Sequence, residues 1–206
     1  LTALDRGVLN GILTSCDCPP SLSIDGRTFR NWNDEGEGMM DVRYALTRSC
    51  NTWFYHVGIE TGPAQILRMA KTFGLGEEPS FPLPAASGSL PSARQSRQGT
   101  ANLSIGQGDV LASPLQMAMM MAGFANGSWV PEPRLILQVQ SAPPEESVLL
   151  TFPRQQDSLL DLDRQDLYYV RQGVWGVVHH ETGTAKSAQT THTMVLGKTG
   201  TSQWFH

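Results

Sequence analysis

The sequence predicts an α+β fold, in which helices flank an antiparallel sheet and a mostly helical subdomain accompanies it. Three observations support this class. Apolar residues recur at helical spacing in several segments within about residues 1–130 and again after Asp163. Two apolar, β-branched runs within 134–152 surround a polar Pro-Pro-Glu-Glu turn and predict a hairpin. A final β-branched run leads into Lys198 and predicts a last strand.

The size and composition are those of an ordinary soluble globular chain. Its 206 residues are 40% hydrophobic and 17% charged, which suffices for one good-sized domain or two small ones. We expect a single partial domain: about 1–130 forms a mainly helical part with long loops, and about 131–206 forms a sheet-associated part that ends in the strand with Lys198. Leu1 lies in the middle of a helical pattern, and His206 follows the last strand directly, so we expect the fold to be incomplete at both ends.

Charge and apolar patterning argue against two classes of function. A formal net charge of −4 and the lack of a Lys/Arg run argue against a nucleic-acid partner. No apolar run approaches the roughly 18 residues of a transmembrane helix, and no signal peptide opens the chain.

Three cysteines, Cys16, Cys18 and Cys50, do not make a disulfide framework. Cys16 and Cys18 are too close in the chain for an unstrained bridge to each other, so any disulfide would involve Cys50. The default expectation is free, partly buried thiols. A C-x-C pair without a second pair also predicts no metal site.

The predicted elements follow from caps, breakers and periodicity. In the first part they are the end of a helix (1–13), a loop with an Asp-Gly turn (14–40), a short helix capped by Asp41 and broken at 47–51, a helix up to Gly62 and a helix from Pro63 to Gly74. In the second part they are a long Pro-, Gly- and Ser-rich connection (75–108), a helix that follows Ser113-Pro114 (115–125), a hairpin (134–140 and 148–152), a helix from Asp163 to Gly183 and the last strand (193–202).

The last strand carries a dense set of polar groups. Lys198 supplies a positive charge, and Thr199 and Thr201, two residues apart, direct their hydroxyls to the same side of a strand. Gly200 lacks a Cβ, so a second chain can lie close to the backbone there. Such a strand can receive an extended peptide that ends in a carboxylate. Taken alone, the triplet is more typical of a surface strand that ends in a glycine turn.

A second polar motif, Ser49-Cys50-Asn51, interrupts the helical pattern. On its own it is typical of a helix-capping loop, because Ser and Asn both bond unpaired N–H groups. The order of the two motifs is more specific than either of them. A Ser-x-Asn between short helices, followed much later by a Lys-Thr-Gly, supplies two of the three motifs of an active-serine signature that begins with Ser-x-x-Lys.

These motifs make the chain resemble the penicillin-binding proteins, and within them the class B D,D-transpeptidases of the elongation type, over essentially its whole length. The segments that carry the resemblance are Ala45–Tyr55, Ala70–Gly76, Ser104–Gly108, Ser113–Ala118, Gly183–Ala185 and Gly197–Ser202. The resemblance implies a serine β-lactamase/D,D-transpeptidase-like fold and makes 1–206 a single partial transpeptidase domain.

One departure from the family pattern bears on mechanism, because the chain contains no Ser-x-x-Lys. Arg68, Gly183 and Val195 stand three residues before the three lysines. The resemblance implies that the nucleophilic serine and its lysine lie just upstream of residue 1. We therefore expect this chain by itself to be inactive.

For the intact protein, the resemblance implies a penicillin-sensitive enzyme that cross-links peptidoglycan stem peptides through an acyl-serine intermediate. Ser49, Asn51 and Lys198 are the implied catalytic residues, and Thr199, Gly200 and Thr201 are the implied substrate-binding residues. No metal or organic cofactor enters this chemistry. The implied partners are stem peptides, β-lactam antibiotics and other cell-wall elongation proteins, at the periplasmic face of the bacterial inner membrane.

Two alternatives share these features. A serine β-lactamase or a β-lactam sensor domain has the same three motifs, but it deacylates or signals instead of cross-linking. A non-catalytic module that docks onto cell-wall machinery also fits a chain without the nucleophile. The Gly106-Gln107-Gly108 and Ser113–Gln116 segments favour the transpeptidase over the β-lactamase.

Overall fold

The computed structural model describes residues 1–127, 129–153 and 156–201. The helices in these ranges are α1 (Thr2–Asp5), α2 (Val42–Arg48), α3 (Asn51–Thr61), α4 (Pro63–Thr72), α5 (Arg97–Ser104), α6 (Pro114–Asn126) and α7 (Arg164–His179). The strands are β1 (Cys16–Cys18), β2 (Ser21–Ile24), β3 (Arg27–Arg30), β4 (Gly38–Met40), β5 (Trp129–Pro131), β6 (Gln138–Gln140), β7 (Val148–Thr151) and β8 (Gln156–Leu159). This mixture of helices and antiparallel strands confirms the predicted α+β class.

The chain divides into two compact units. Unit one contains Leu1–Met69, Pro91–Val110 and the described part of Leu162–His206, and unit two contains Ala70–Leu90 and Leu111–Asp161. Every residue that the sequence singles out for chemistry falls in unit one. The predicted boundary within a single domain, near residue 130, stays a prediction.

The described strands form four two-stranded antiparallel sheets, where the sequence predicts one larger sheet. Unit one contains β1 with β4 and β2 with β3, and unit two contains β5 with β8 and β6 with β7. The predicted hairpin within 134–152 is confirmed as β6 and β7. The prediction that 14–40 is a loop is wrong, because strands of three or four residues are too short to show a clear alternation of apolar and polar positions.

The strand predicted at 193–202 is not formed in its described part, 193–201. The backbone there bonds to α7 instead of to a neighbouring strand: the Gly197 N–H donates to the Val174 carbonyl, with a nitrogen–oxygen distance of 3.3 Å. The Val195 carbonyl oxygen lies 2.9 Å from His179 Nε2. Without a ladder partner an extended segment is not a strand. Ser202, the last residue of the predicted strand, lies outside the described residues.

The helix predictions differ from the structure at three places. Helix α7 ends at His179, four residues before the predicted Gly183, because His180 adopts an extended conformation. The helical pattern at 1–13 yields only the single turn of α1 and a separate 3₁₀ turn at Gly11–Leu13, since Gly7 and Gly11 adopt positive φ angles of 70° and 54°. Helix α5 lies inside the segment predicted as a long connection. Its N-cap is Ser96, whose side chain accepts from the Gly99 N–H.

Unit one has a core in which α2 and α3 pack on β1 and β4. Trp53 is 1% exposed, and its Nε1 donates to the Met40 carbonyl at 3.0 Å. In the same core, Cys18 and Cys50 form a disulfide with 6.3 Å between their Cα atoms. The expectation of free thiols is therefore wrong at these two positions and holds at Cys16. A contact between residues 32 apart depends on the tertiary fold, which spacing alone does not reveal.

Helices α2 and α7 approach closely at two glycines of α7. A Cβ built on Gly173 meets Leu46 Cδ1 at 2.6 Å, and one built on Gly176 overlaps the side chain of Thr47. The Thr47 hydroxyl lies 3.3 Å from the Gly173 carbonyl oxygen, to which it donates. Only glycine permits this separation of the helices. The contact matters for the candidate site because α2 ends beside Ser49 and α7 supports Gly197.

We expect Gly176→Ala to lower the free energy of unfolding by about 1–3 kcal/mol, because the added methyl overpacks the contact with Thr47. Thermal or denaturant unfolding measures this loss. In an exposed helix the same change normally stabilises, by up to about 1 kcal/mol. Adding Thr47→Ala to Gly176→Ala should recover part of the loss, as a double-mutant cycle detects. A Gly176→Ala protein at least as stable as the unchanged one would contradict the close approach.

Unit two is organised around a buried polar side chain, Gln116 of α6, which is 1% exposed. The two N–H groups of its Nε2 face the carbonyl oxygens of Gly74, Glu77 and Ser87, which lie 3.2, 2.9 and 2.8 Å from the nitrogen. Its Oε1 accepts from the Ser113 N–H, which completes the capping box of α6. The long connection before α6 is thus held by hydrogen bonds to one amide. Within the described ranges, no helix is both long and apolar enough to cross a membrane.

Candidate active site

The junction of α2 and α3 positions Ser49. Ser49 is the C-cap of α2 and adopts a left-handed conformation, with φ 55° and ψ 41°. A residue with a Cβ is strained in this region, by roughly 1–2 kcal/mol. Cys50 then caps α3 with its Sγ, which accepts from the Trp53 N–H. Buried Asn31 accepts from the Asn51 N–H at 2.9 Å, which fixes the start of α3.

The segment after Val195 brings Lys198 to Ser49. Lys198 Nζ donates to Ser49 Oγ at 2.6 Å, although the two residues are 149 positions apart. The same ammonium donates to the Thr199 carbonyl at 3.1 Å and lies 3.3 Å from Thr199 Oγ1. The cation is therefore surrounded by oxygen acceptors, and one of them is the hydroxyl that the Ser-x-Asn motif supplies.

These groups line one cleft of about 390 Å³. Its lining residues are Leu46, Ser49, Asn51, Phe54, Ser104, Ile105, Gln107, Lys198, Thr199, Gly200 and Thr201. The six site residues predicted from the sequence are all among them. A concave site with a few convergent polar groups between apolar side chains is the usual form of a small-ligand pocket.

Desolvation lowers the pKa of Lys198 below the ordinary value for lysine. Lys198 is exposed at the cleft surface, but the protein atoms around its ammonium displace part of the hydration that stabilises the charged form. No carboxylate forms an ion pair with it among the described residues. A cation that has lost part of its hydration and has no anionic partner is suited to bind an anionic ligand group.

Two further residues contact the predicted site. The hydroxyl of Thr184 lies 3.0 Å from that of Thr199, and Gln107 Nε2 donates to the Thr201 carbonyl at 3.5 Å. Both occur in segments that carry the family resemblance, so that signal was available. Nothing in their local pattern indicates that they face Thr199 and Thr201.

The arrangement joins a hydroxyl, a cation and a threonine- and glycine-rich backbone in one concave surface. It can hold a carboxylate and stabilise negative charge that develops on a bound carbonyl. Within the described ranges, no group of three or more His, Cys, Asp or Glu side chains is gathered as a metal ion requires.

Comparison with known proteins places this chain in a family. The family model described as penicillin binding protein transpeptidase domain matches residues 1–206. The peptidoglycan D,D-transpeptidase MrdA of Salmonella typhimurium strain SL1344 is 31% identical over 201 residues, which cover 90% of this chain and 32% of that protein. The chain spans about a third of the length of such curated relatives.

Solved structures agree with this match. The ceftriaxone acyl-enzyme complex of penicillin-binding protein A from Mycobacterium tuberculosis superposes with a TM-score of 0.82 at 26% identity, covering 99% of this chain and 45% of that one. A chain from a structure that describes how a peptidoglycan synthase complex coordinates polymerization and crosslinking superposes with a TM-score of 0.80 at 27% identity. The match covers 97% of this chain and 34% of that one. The chain therefore belongs to the penicillin-binding protein transpeptidase domain family, as its resemblance to the class B D,D-transpeptidases implied.

Proposed function

We propose that this chain is the part of a serine-type peptidoglycan D,D-transpeptidase that holds the substrate carboxylate and assists proton transfer. The observation that carries the proposal is the 2.6 Å contact between Lys198 Nζ and Ser49 Oγ in a cleft shared with Asn51 and Thr199–Thr201. In the intact protein, a Ser-x-x-Lys outside residues 1–206 supplies the nucleophile and its base.

In this mechanism the nucleophilic serine attacks the penultimate D-Ala carbonyl of a stem peptide while the lysine of its motif takes the hydroxyl proton. The tetrahedral intermediate collapses, the C–N bond breaks, and the departing D-Ala amine takes a proton relayed through Ser49. An amine of a second stem peptide then attacks the acyl-serine, which forms the cross-link and restores the serine hydroxyl. Asn51 holds the base lysine and the substrate amide.

Lys198 attracts the terminal carboxylate of the stem peptide, and the hydroxyls of Thr199 and Thr201 donate to it. Gly200 lets the extended peptide approach the backbone, since no atom of the described residues lies within 4 Å of a Cβ built there. The N–H of Thr201 contributes half of an oxyanion hole, and one such donor typically lowers the barrier by about 3–4 kcal/mol.

The substrates and partners follow from the same assignment. Stem peptides are the substrates, and β-lactams acylate the serine because they present a carboxylate and a reactive carbonyl to the same groups. The mycobacterial relative forms an acyl-enzyme complex with ceftriaxone, which supports β-lactams as ligands of this protein. The relative in the peptidoglycan synthase complex supports other cell-wall elongation proteins as partners. The enzyme acts at the periplasmic face of the inner membrane, where its polymer substrate lies.

Labelling with a fluorescent penicillin tests the proposal. The full-length protein should form a covalent, denaturation-resistant adduct, and a serine-to-alanine change in its Ser-x-x-Lys should abolish the adduct. The chain of 206 residues by itself should not label. A folded full-length protein that stays unlabelled would exclude the function, and rapid turnover of the adduct in a hydrolysis assay would favour a β-lactamase instead.

A further inference from the structure

Arg48, the residue immediately before Ser49, makes an unusually complete set of contacts. Its guanidinium pairs with Glu37, through Nε to Oε2 and through Nη2 to Oε1, the latter at 3.0 Å. The guanidinium also lies 5.1 Å from the centre of the Trp32 ring, and the indole N–H donates to the Arg48 carbonyl at 2.8 Å. The side chain and the backbone of Arg48 are therefore both fixed at the end of α2, immediately before the strained Ser49.

The third nitrogen of the guanidinium reaches a different part of unit one. Arg48 Nη1 donates to the carbonyl oxygen of Thr182, in the turn that follows α7. Two residues later, the Thr184 hydroxyl lies 3.0 Å from that of Thr199. Arg48 thus connects the segment that carries Ser49 to the turn that contacts Thr199, and both Ser49 and Thr199 line the cleft.

The chemistry of this contact set requires an arginine. The side chains of Arg48 and Glu37 are only 17% and 9% exposed, so the pair is largely removed from water. The hydrogen bond that Arg48 donates to the Glu37 carboxylate raises the pKa of Arg48, which keeps it charged. A planar guanidinium can bond a carboxylate with two nitrogens and a carbonyl with the third, whereas a lysine ammonium cannot match this geometry.

We propose that Arg48 is a positioning residue for acyl transfer, which fixes Ser49 relative to the turn at Thr182 and, through the contact of Thr184 with Thr199, relative to Thr199. This inference rests on the proposed function. Arg48 itself does not line the cleft and touches no reacting group. Its effect is exerted through the position of Ser49 relative to Lys198 and Thr199.

The test compares Arg48→Lys and Glu37→Gln with the matched control Arg43→Lys in the full-length protein. Arg43 lies on the same helix and is also paired with a carboxylate, Asp41, at 2.7 Å, but it does not line the cleft. Acylation by fluorescent penicillin is followed in time, so that the rate constant and the final labelled fraction are separate readouts.

Displacing catalytic groups by about 1 Å costs on the order of 100-fold in rate. We expect both Arg48→Lys and Glu37→Gln to slow acylation by roughly 10- to 100-fold, with the full fraction still labelled.

The readouts separate positioning from a merely structural role. A structural role would lower the labelled fraction through unfolding and leave the rate constant of the folded molecules unchanged, and that result would overturn the inference. Rates equal to that of Arg43→Lys in both variants would overturn it as well. If the unchanged protein itself fails to label, the proposed function fails first and the inference falls with it. Glu37→Gln provides an independent measurement should Arg48→Lys fold poorly.

Discussion

Replacing Lys198 with alanine is expected to slow acylation of the full-length protein by a β-lactam on the order of 100- to 1000-fold, the usual effect of removing one electrostatic donor from an active site. Lys198 is the cation of the cleft, and its ammonium bonds Ser49 Oγ at 2.6 Å. In the proposed mechanism, its loss removes both the attraction for the ligand carboxylate and the charge next to the hydroxyl that relays the proton. Stopped-flow acylation kinetics measure the change.

Stability should barely respond to this substitution. Lys198 is exposed and forms no ion pair among the described residues, so its removal should change the free energy of unfolding by no more than about 0.5 kcal/mol. Lys186→Ala is the control, because Lys186 is an exposed lysine of the same unit whose ammonium bonds only the Glu181 carbonyl among the described contacts. A Lys198→Ala protein that acylates as fast as the Lys186→Ala control would remove Lys198 from the mechanism.

The pH dependence gives a second readout for Lys198. Desolvation lowers its pKa, so the ammonium loses its proton at a lower pH than an ordinary lysine, whose pKa is about 10.4. The charge is present below the pKa of Lys198 and lost above it. Acylation should therefore fall as the pH rises through that lowered pKa, and Lys198→Arg, which stays charged, should move the alkaline fall to higher pH.

Local chemistry explains which elements were predictable from the sequence. Helices α2 and α6 begin after Asp41 and Ser113, whose side-chain oxygens accept from backbone N–H groups, and α3 ends at Gly62, which adopts a positive φ. The sequence predicted all three boundaries. The two short motifs were equally readable. Their order in the chain is specific, and the structure places the six site residues predicted from it, Ser49, Asn51 and Lys198–Thr201, on one cleft.

The features that were missed depend on partners distant in the chain. Residues 193–201 have the composition of a strand, but a strand also needs a neighbour, and the described neighbour of this segment is α7. The pairing of Cys18 with Cys50 and the contact of Arg48 with Thr182 are likewise tertiary. Arg48 shows most clearly what the sequence alone does not reveal. In the sequence it is an ordinary cation at the end of a helix, and its proposed role follows only from its contact with Thr182, which is distant in the chain.

Removing the hydroxyl of Ser49 is the second change with a large expected effect. General acid–base assistance typically contributes 10²- to 10⁴-fold to a rate, so Ser49→Ala should slow acylation by about 100-fold or more. Lys198 also loses the oxygen acceptor that lies 2.6 Å from its ammonium in the unchanged protein. The measurement is again the acylation rate constant of the full-length protein.

Ser49→Gly provides the matched comparison, because Ser49 adopts a φ of 55°, where glycine is not strained. We expect Ser49→Gly to be more stable than Ser49→Ala by about 1 kcal/mol, since alanine keeps the left-handed strain that glycine relieves. Both variants lack the hydroxyl and should be equally slow in acylation. Stability and activity then change independently, so a loss of rate cannot be attributed to unfolding. If Ser49→Gly acylates as fast as the unchanged protein, the Ser49 hydroxyl is not the proton relay, and Ser49 serves only to end α2.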